Sequence, residues 1–329
     1  MIEILTSGLM NSVQDLGRPG YLDQGIGMGG MMDAPALRIA NLLLGNADDA
    51  AGIEVTIFPF RLRFLQAGRF AVTGAICNAA LNGGKVLPPW WAGDAEAGDE
   101  LRIDPPTRGA RAVVAFSGGI VVPEVLGSRS TDLKSGFGGC QGRALKRGDR
   151  LQLGAGSEGG GHTGSHGVDP SEFRDMEAAG NVLHIMQGAE FNAFTEDARQ
   201  ALFGSPFVVS KENNRQGVRL DGPGLALVRK LELFSHGIMP GTVQVPPSGQ
   251  PVIQLAEANT CGGYPKIGHV IPTDLWKLAQ AAVGTEFRLE EVSRDWAVKE
   301  IRKQELKFSQ FRNLLPIVKK VQQGHGKLL

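Results

Sequence analysis

A turn followed by an alternating strand occurs three times in this chain, and nothing else in the sequence restricts the fold as much. The copies run from Gly98 to Ile103 (GDELRI), from Gly148 to Leu153 (GDRLQL) and from Gly284 to Leu289 (GTEFRL). In each, a glycine and a polar residue make the turn. Apolar and polar residues then alternate with the period of a half-buried strand. Phe70 to Thr73 and Ala112 to Phe116 add β-rich runs that end at glycines. Two of the three copies precede residue 154 and one follows it, which divides the chain into two mostly-β halves.

The stretch from Gly154 to Gly167 (GAGSEGGGHTGSHG) has the composition of a Gly/Ser linker. The expected organisation is a first domain over 1–154, a linker over 155–179, a second domain over 180–292 and a basic helical tail over 293–329. Few helices are predicted. One runs from Pro35 to Leu44, with Asp33 as N-cap and Gly45 as stop. Others cover Thr195 to Leu202 and Thr273 to Ala282. A long terminal helix starts at Ser293, reaches about Asn313 and breaks near Pro316.

At 329 residues, 42% apolar and 21% charged, such a chain buries sizeable cores without disulfide or metal staples. The 34 basic and 34 acidic residues balance, which excludes disorder driven by net charge. The balance hides a basic tail. Residues 298–329 carry eight Lys/Arg against Glu300 and Glu305, a net +6. That suits an acidic partner or a solvated helix face. No basic stripe runs through the chain, so no nucleic-acid partner is expected.

Cys77, Cys140 and Cys261 are widely spaced with no CxxC, a pattern that argues against a disulfide framework or a zinc site. No metal is expected. The N-terminus lacks the basic-then-apolar order of a signal peptide, and no apolar run approaches 18 residues. A cytoplasmic protein with no membrane partner is the expectation.

Familiar catalytic motifs are missing. The sequence has no GxxxxGK[ST] phosphate loop, no HExxH and no GxSxG. Gly25 to Gly30 satisfies GxGxxG, but it follows a polar stretch with no βαβ unit around it. His162 and His166 have HxxxH spacing in the linker, where no helix holds them on one face. No lysine lies between methionines as in a biotinylated segment.

What stands out is five polar clusters interleaved with glycine. They are Ser12 to Tyr21 (SVQDLGRPGY), Leu126 to Asp132 (LGSRSTD), Asn213 to Pro223 (NNRQGVRLDGP), Gly241 to Pro251 (GTVQVPPSGQP) and Glu257 to Lys266 (EANTCGGYPK). They carry Arg18, Arg129, Arg215 and Arg219. Arginine offers a planar fork for carboxylate or phosphate, and glycines let backbone N–H groups approach an anion.

These clusters, with MDAPALRIANLLLGN, GIEVT, AVTGA, GRALKRGD and CGGYPKIGHV, resemble the biotin-dependent carboxyltransferase family with the allophanate hydrolase subunit 2 domain. That family includes the C subunit of bacterial 5-oxoprolinase and the carboxyltransferase part of urea carboxylase. The resemblance spans roughly residues 2 to 292. It implies two cyclophilin-like β-barrels with a few short helices and a C-terminal helix. It implies a subunit of an ATP-dependent amide or lactam hydrolase, with A- and B-subunit-like partners and a small amide substrate. ATP would be a co-substrate bound with a partner. The alternatives are a urea-type carboxyltransferase subunit, with biotin carried on a partner, and a regulatory partner of a kinase-inhibitor-like B subunit.

Carried over by motif, Gln14, Asp15, Arg18 and Tyr264 are the expected catalytic residues. Arg129, Arg215, Arg219, Gln244, Thr260, Gly262 and Gly263 are expected to bind substrate or phosphate, with the two arginines Arg215 and Arg219 foremost. The chain departs from the family pattern at Phe58, at Glu257 (Asp elsewhere) and at Cys261 (Thr elsewhere). These departures leave the substrate open among amides, lactams and urea-like compounds.

Overall fold

The computed structural model describes residues 1–325 except 7, 85, 157–164 and 173–180, and of 316–325 only the backbone. His162 and most of the expected linker lie outside the described residues.

The first half holds two sheets. The seven-stranded sheet runs, in spatial order, Ile120–Val121, Arg150–Leu153, Ile2–Ile4, Phe60–Phe64, Glu100–Ile103, Ala79–Leu81 and Val86–Leu87. The six-stranded sheet runs His166–Gly167, Trp91–Ala95, Gly68–Ile76, Arg108–Phe116, Gly52–Val55 and Ser12–Gln14. Their facing sides share one core that includes Ile2, Ile4, Leu62, Leu101, Val72 and Val114. His166 and Gly167 pair with Ala92 and Trp91, so this part of the expected linker is a strand on the first half.

The second half is a closed barrel of seven strands. Their order is Val182–Gln187, Lys266–Val270, Thr242–Gln244, Val252–Gln254, Gly217–Asp221, Phe207–Asn213 and Glu286–Glu291. A parallel pairing of Val182 to Ile185 with Arg288 to Glu291 closes it. The interior is apolar, with Leu183, Val209, Leu220, Val243, Ile253, Ile267 and Phe287 all buried. Closure removes the free strand edges that an open sheet would leave.

The three repeated turns sit where the sequence placed them. Gly98, Gly148 and Gly284 have φ of 97°, 89° and 87°, with open space where a Cβ would stand. Glycine is needed there for the backbone conformation alone. Strand Arg108–Phe116 is apolar on both sides because both are covered. Ala112, Val114 and Phe116 face the sheet-on-sheet core, while Val113 and Ala115 meet helix Ala34–Leu44.

That helix is capped as predicted. The Asp33 carboxylate accepts from the Ala36 N–H at 3.1 Å, and Gly45 ends the helix at φ 74°. Thr195 caps helix Glu196–Gly204 in the same way. The terminal helix corrects one expectation, since Arg294–His325 continues through Pro316. Proline removes one backbone donor and crowds one carbonyl, and the turns on either side keep their own hydrogen bonds.

The halves are joined at a polar seam. The buried Gln280 amide oxygen accepts from Ala110 N at 2.9 Å and Arg111 N at 3.1 Å. Its nitrogen donates to the Asp33 carboxylate at 2.6 Å and to the Arg111 carbonyl at 2.8 Å. On the same seam, Gly29 N donates to the Ala256 carbonyl at 3.0 Å.

Candidate functional site

The first and second polar clusters form one knot. Strand Ser12–Gln14 ends at Asp15, whose carboxylate accepts from Gly17 N at 2.8 Å, Ser128 Oγ at 2.7 Å, Ser130 Oγ at 2.5 Å and Arg129 N at 2.5 Å. Four donors on one carboxylate pin residues 128–130 against the strand. Asp15 is therefore a structural anchor of the loop. Gln14 donates to Ser12 Oγ at 2.9 Å and to the Thr131 carbonyl at 3.0 Å, while its own amide oxygen, also buried, meets no donor among the described residues.

Arg18 is 1% exposed. One Nη donates to the Ser130 carbonyl at 2.5 Å, and the guanidinium lies 4.7 Å from the Phe137 ring centre. Its Nε and other Nη have no acceptor among the described residues. A buried unpaired donor costs about 1–3 kcal/mol, so two on one charged group call for an acceptor beyond the described protein atoms, a bound water or a ligand atom. Two glycines flank the group. A Cβ on Gly29 or on Gly138 would come within 3.0 Å of a guanidinium nitrogen. Burial lowers the Arg18 pKa from its ordinary value, against the pull of Asp132, Asp15 and Glu257. Arg129 stands apart, its guanidinium 2.7 Å from Glu124 at the surface.

Asp132 and Glu257 line a cavity of about 210 Å³, together with Lys134, Thr260 and Cys261. Asn259 is shared with a neighbouring groove of about 200 Å³ on the outer face of the barrel, where Arg219, Gln244, Gln216 and Tyr264 meet. Strand register explains the gathering. Val243 and Ile253 point into the barrel, so Gln244 and Gln254 point out, and Gln254 donates to Gln244 at 3.1 Å. Arg219 is half exposed and 3.1 Å from Glu212. Gly262 lets the chain lie against Gln244, since a Cβ there would be 2.7 Å from the amide nitrogen. Tyr264 and Pro246 also wall a larger apolar cavity of about 690 Å³, lined by Leu225, Leu231, Leu233 and Gly263.

Arg215 is placed elsewhere. It is 2% exposed and donates to Glu257 at 2.6 Å, to Glu54 and to the Gly30 carbonyl at 2.7 Å. Burial works against its charge, but Glu54 and Glu257 outweigh that and hold the pKa above the ordinary arginine value. All three faces of the guanidinium are thus engaged by protein, across the seam between the halves. Glu54 also accepts from Met32 N at 2.7 Å. Sequence reasoning passed over Glu54. The available signal was a lone carboxylate inside an apolar strand, which must find a cation when buried. Glu257 was seen only as a departure, and Asp132, Asn259 and Gln254 were not singled out as site residues.

So the structure brings Arg219, Gln244, Tyr264 and Thr260 to adjoining cavities, and knots Gln14, Asp15 and Arg18 behind the loop 128–132. Glu257 connects the two groups, since it lines the cavity that holds Thr260 and its charge bears on Arg18. Among the described residues, no cluster of three His, Cys, Asp or Glu is arranged to hold a metal ion. No described helix is long and apolar enough to cross a membrane.

Known proteins resemble this chain over most of its length. Residues 24–291 match the carboxyltransferase domain, subdomain A and B. The chain is 39% identical over 312 residues to the C subunit of 5-oxoprolinase from Escherichia coli, covering 94% of this chain and 97% of that protein. It is 38% identical to the C subunit of 5-oxoprolinase from Haemophilus influenzae, covering 96% and 99%. It superposes on the K. lactis urea amidolyase structure with a TM-score of 0.85 at 28% identity, covering 94% of this chain and 20% of that one.

Proposed function

Because the chain belongs to the carboxyltransferase domain family of subdomains A and B, we propose that it is the C subunit of an ATP-dependent 5-oxoprolinase, which opens the 5-oxoproline lactam to L-glutamate with A- and B-type partner subunits. The observation that carries this reading is the near end-to-end likeness to two proteins named as the C subunit of 5-oxoprolinase. The three cysteines are free thiols, which fits a cytoplasmic complex.

An unstrained amide is a poor electrophile, and ATP supplies its activation by phosphorylation. The chain's residues must then bind the substrate carboxylate, meet growing negative charge on oxygen and keep the reacting group still. Arg219, with Gln216 and Gln244, provides the donors for a carboxylate in the outer groove. Tyr264 donates from the wall between the two barrel cavities. Arg18 contributes its two open N–H groups and a charge directed at Asp132 and Glu257. Thr260, Gly262 and Gly263 shape the floor. In this reading Arg215 ties Glu257 to the first half, and Asp15 and Arg129 hold the loop. With no phosphate loop in the chain, ATP belongs to a partner or to the interface with one.

A second reading is carboxyl transfer to a urea-like nitrogen, with carboxybiotin brought by a partner carrier. It is favoured by the superposition on urea amidolyase over 94% of this chain.

The test is reconstitution with the A- and B-type proteins, ATP and 5-oxoproline. ADP and glutamate are expected only when all three chains are present. Arg18→Met in the complex is expected to lower kcat about 100-fold, the scale of losing a donor to a developing oxyanion. Turnover that is unchanged when this chain is left out would sink the proposal. Carboxylation of urea by a biotinylated carrier would move the choice to the second reading.

A further inference from the structure

One buried lysine of the fifth cluster has no part in the reading above. Lys266 sits on strand Lys266–Val270, next to Gln244 in register, and is 6% exposed. Its Nζ donates to the Gly262 carbonyl at 3.1 Å and to the Tyr264 carbonyl at 3.3 Å. Both acceptors belong to the loop that carries the Tyr264 phenol between the outer groove and the apolar cavity. Burial lowers the lysine's pKa from its ordinary value, and Glu190 opposes that. Glu190 also accepts from the Lys266 backbone N–H at 2.8 Å and lies 3.7 Å from His236 Nε2. His236 Nδ1 is 3.4 Å from the ammonium. The imidazole is carried by strand His236–Gly237, which pairs with Cys261–Gly262.

The arrangement is costly unless it does something. An ammonium desolvated beneath a glycine loop, with its nearest carboxylate on another element, loses hydration that two carbonyls only partly replace. What it secures is direction. Gly262 is held on one side by its strand pairing with His236, but Gly263 gives the chain beyond it no side chain with which to pack, so the lysine is what fixes its backbone. Two charge-assisted bonds on either side of Gly263 hold it next to Tyr264.

We propose that Lys266 is a positioning residue for Tyr264, with its ammonium clamping the Gly262 and Tyr264 carbonyls and so setting where the phenol stands between the two cavities. The proposal rests on the reading of Tyr264 as a site residue. The same geometry assigns Glu190, which accepts from the Lys266 backbone and draws its charge, as the carboxylate that holds the lysine under the loop, while His236 Nδ1 lies closer to the Phe234 carbonyl, at 3.0 Å.

The chain has two tyrosines, Tyr21 and Tyr264. Protein labelled with 3-fluorotyrosine therefore shows two fluorine resonances, assigned by Tyr264→Phe. Lys266→Met is expected to shift or broaden the Tyr264 resonance and leave that of Tyr21 in place. Lys266→Arg, which keeps the charge, is expected to restore most of the wild-type signal. In the reconstituted complex, Lys266→Met is expected to lower kcat at least about tenfold while KM changes less than about twofold, as for a misplaced group acting in the transition state. An unmoved Tyr264 resonance in Lys266→Met overturns the proposal. If that variant loses the Tyr21 resonance too, Lys266→Gln takes its place, and an unmoved Tyr264 resonance there overturns the proposal equally. Failure of the wild-type complex to turn over 5-oxoproline counts against the functional reading and leaves the resonance test to decide the clamp.

Discussion

At the scale of single residues, the informative side chains are the buried charged ones. Glu54 and Arg215 are both essentially excluded from water and bonded to each other. Removing one member of such a pair leaves an uncompensated charge in a medium that solvates it poorly. Glu54→Gln is expected to destabilise the chain by about 3 kcal/mol. Urea unfolding reads this as a lower midpoint with an unchanged slope. An unchanged midpoint would mean that the tie carries no net energy. The cysteines give a second residue-level test. Burial pushes the Cys77 thiol up to about 12, with Asp104 adding to it, whereas Cys261 is exposed in the cavity wall. A thiol-disulfide reagent at pH 8 is expected to label Cys261 in the native protein and Cys77 only after unfolding. The legibility of such residues was uneven. The sequence pointed to the arginines as a class, because four of them lie in glycine-rich clusters. It did not separate Arg215, tied to carboxylates 161 and 42 positions away, from Arg219, which opens to a groove. That distinction depends on which face of a strand meets which half, and a linear pattern does not contain it.

At the scale of elements, turns and caps were the legible part. The three repeated turns, the Asp33 cap and the Gly45 stop are local, each decided by a few adjacent residues. The turn at Gly148 carries a testable charge pair. Arg143 binds both oxygens of Asp149, at 2.7 and 2.9 Å, while Asp149 accepts from Lys146 N at 2.8 Å. The Arg143 bond holds the Asp149 carboxyl below its ordinary value of 3.8. A group whose folded value is depressed stabilises the fold above its unfolded value and loses that contribution as pH falls through the folded one. Arg143→Ala is thus expected to cost up to about 1 kcal/mol at pH 7, given the partial exposure of the pair. The difference from wild type should shrink as the pH falls from the unfolded carboxylate value through the depressed folded one. Thermal unfolding of both proteins across pH 2–7 measures it, and a difference independent of pH would put the effect in packing instead. The path of the terminal helix was less legible. Proline predicts a stop by itself, yet the helix is packed against the first half as far as Leu315, the residue before it. Phe308 is 2% exposed, with Arg38 stacked 3.8 Å over its ring and bonded to Glu305 on the same helix. Near the start of the helix, Trp296 stacks on His184 of the barrel at 4.5 Å between ring centres.

At the scale of the molecule, the question is whether the halves act as one body. Two buried side chains join them, besides the terminal helix, the backbone bond from Gly29 to Ala256 and the Arg111 guanidinium on the Ala279 carbonyl. One is the Arg215 tie, and the other is Gln280, whose single amide makes four bonds across the seam. The amide reaches the N-cap of helix Ala34–Leu44 through Asp33 and the strand Arg108–Phe116 through its backbone. It thereby fixes the two cores relative to each other, and with them the one candidate cavity that both halves line, with Gly25, Gly27 and Asp132 on one side and Glu257 and Thr260 on the other. We propose that the first half, residues 1–154 with strand His166–Gly167, and the barrel half are separate folding units made cooperative by this joint. Gln280→Leu keeps the volume and removes every bond, leaving two backbone N–H groups, the Arg111 carbonyl and an Asp33 oxygen without that partner. Each backbone group left unpaired costs about 1–3 kcal/mol. Because the loss falls on the joint and on neither core, the units should uncouple before either one melts. Calorimetry is expected to show one transition for the wild-type chain and two for Gln280→Leu, the calorimetric enthalpy of the variant exceeding its van't Hoff value. A single, merely lower transition in the variant would mean that the cores are coupled through the terminal helix. Phe308→Ala, a cavity worth about 3–5 kcal/mol, should then be the substitution that divides them.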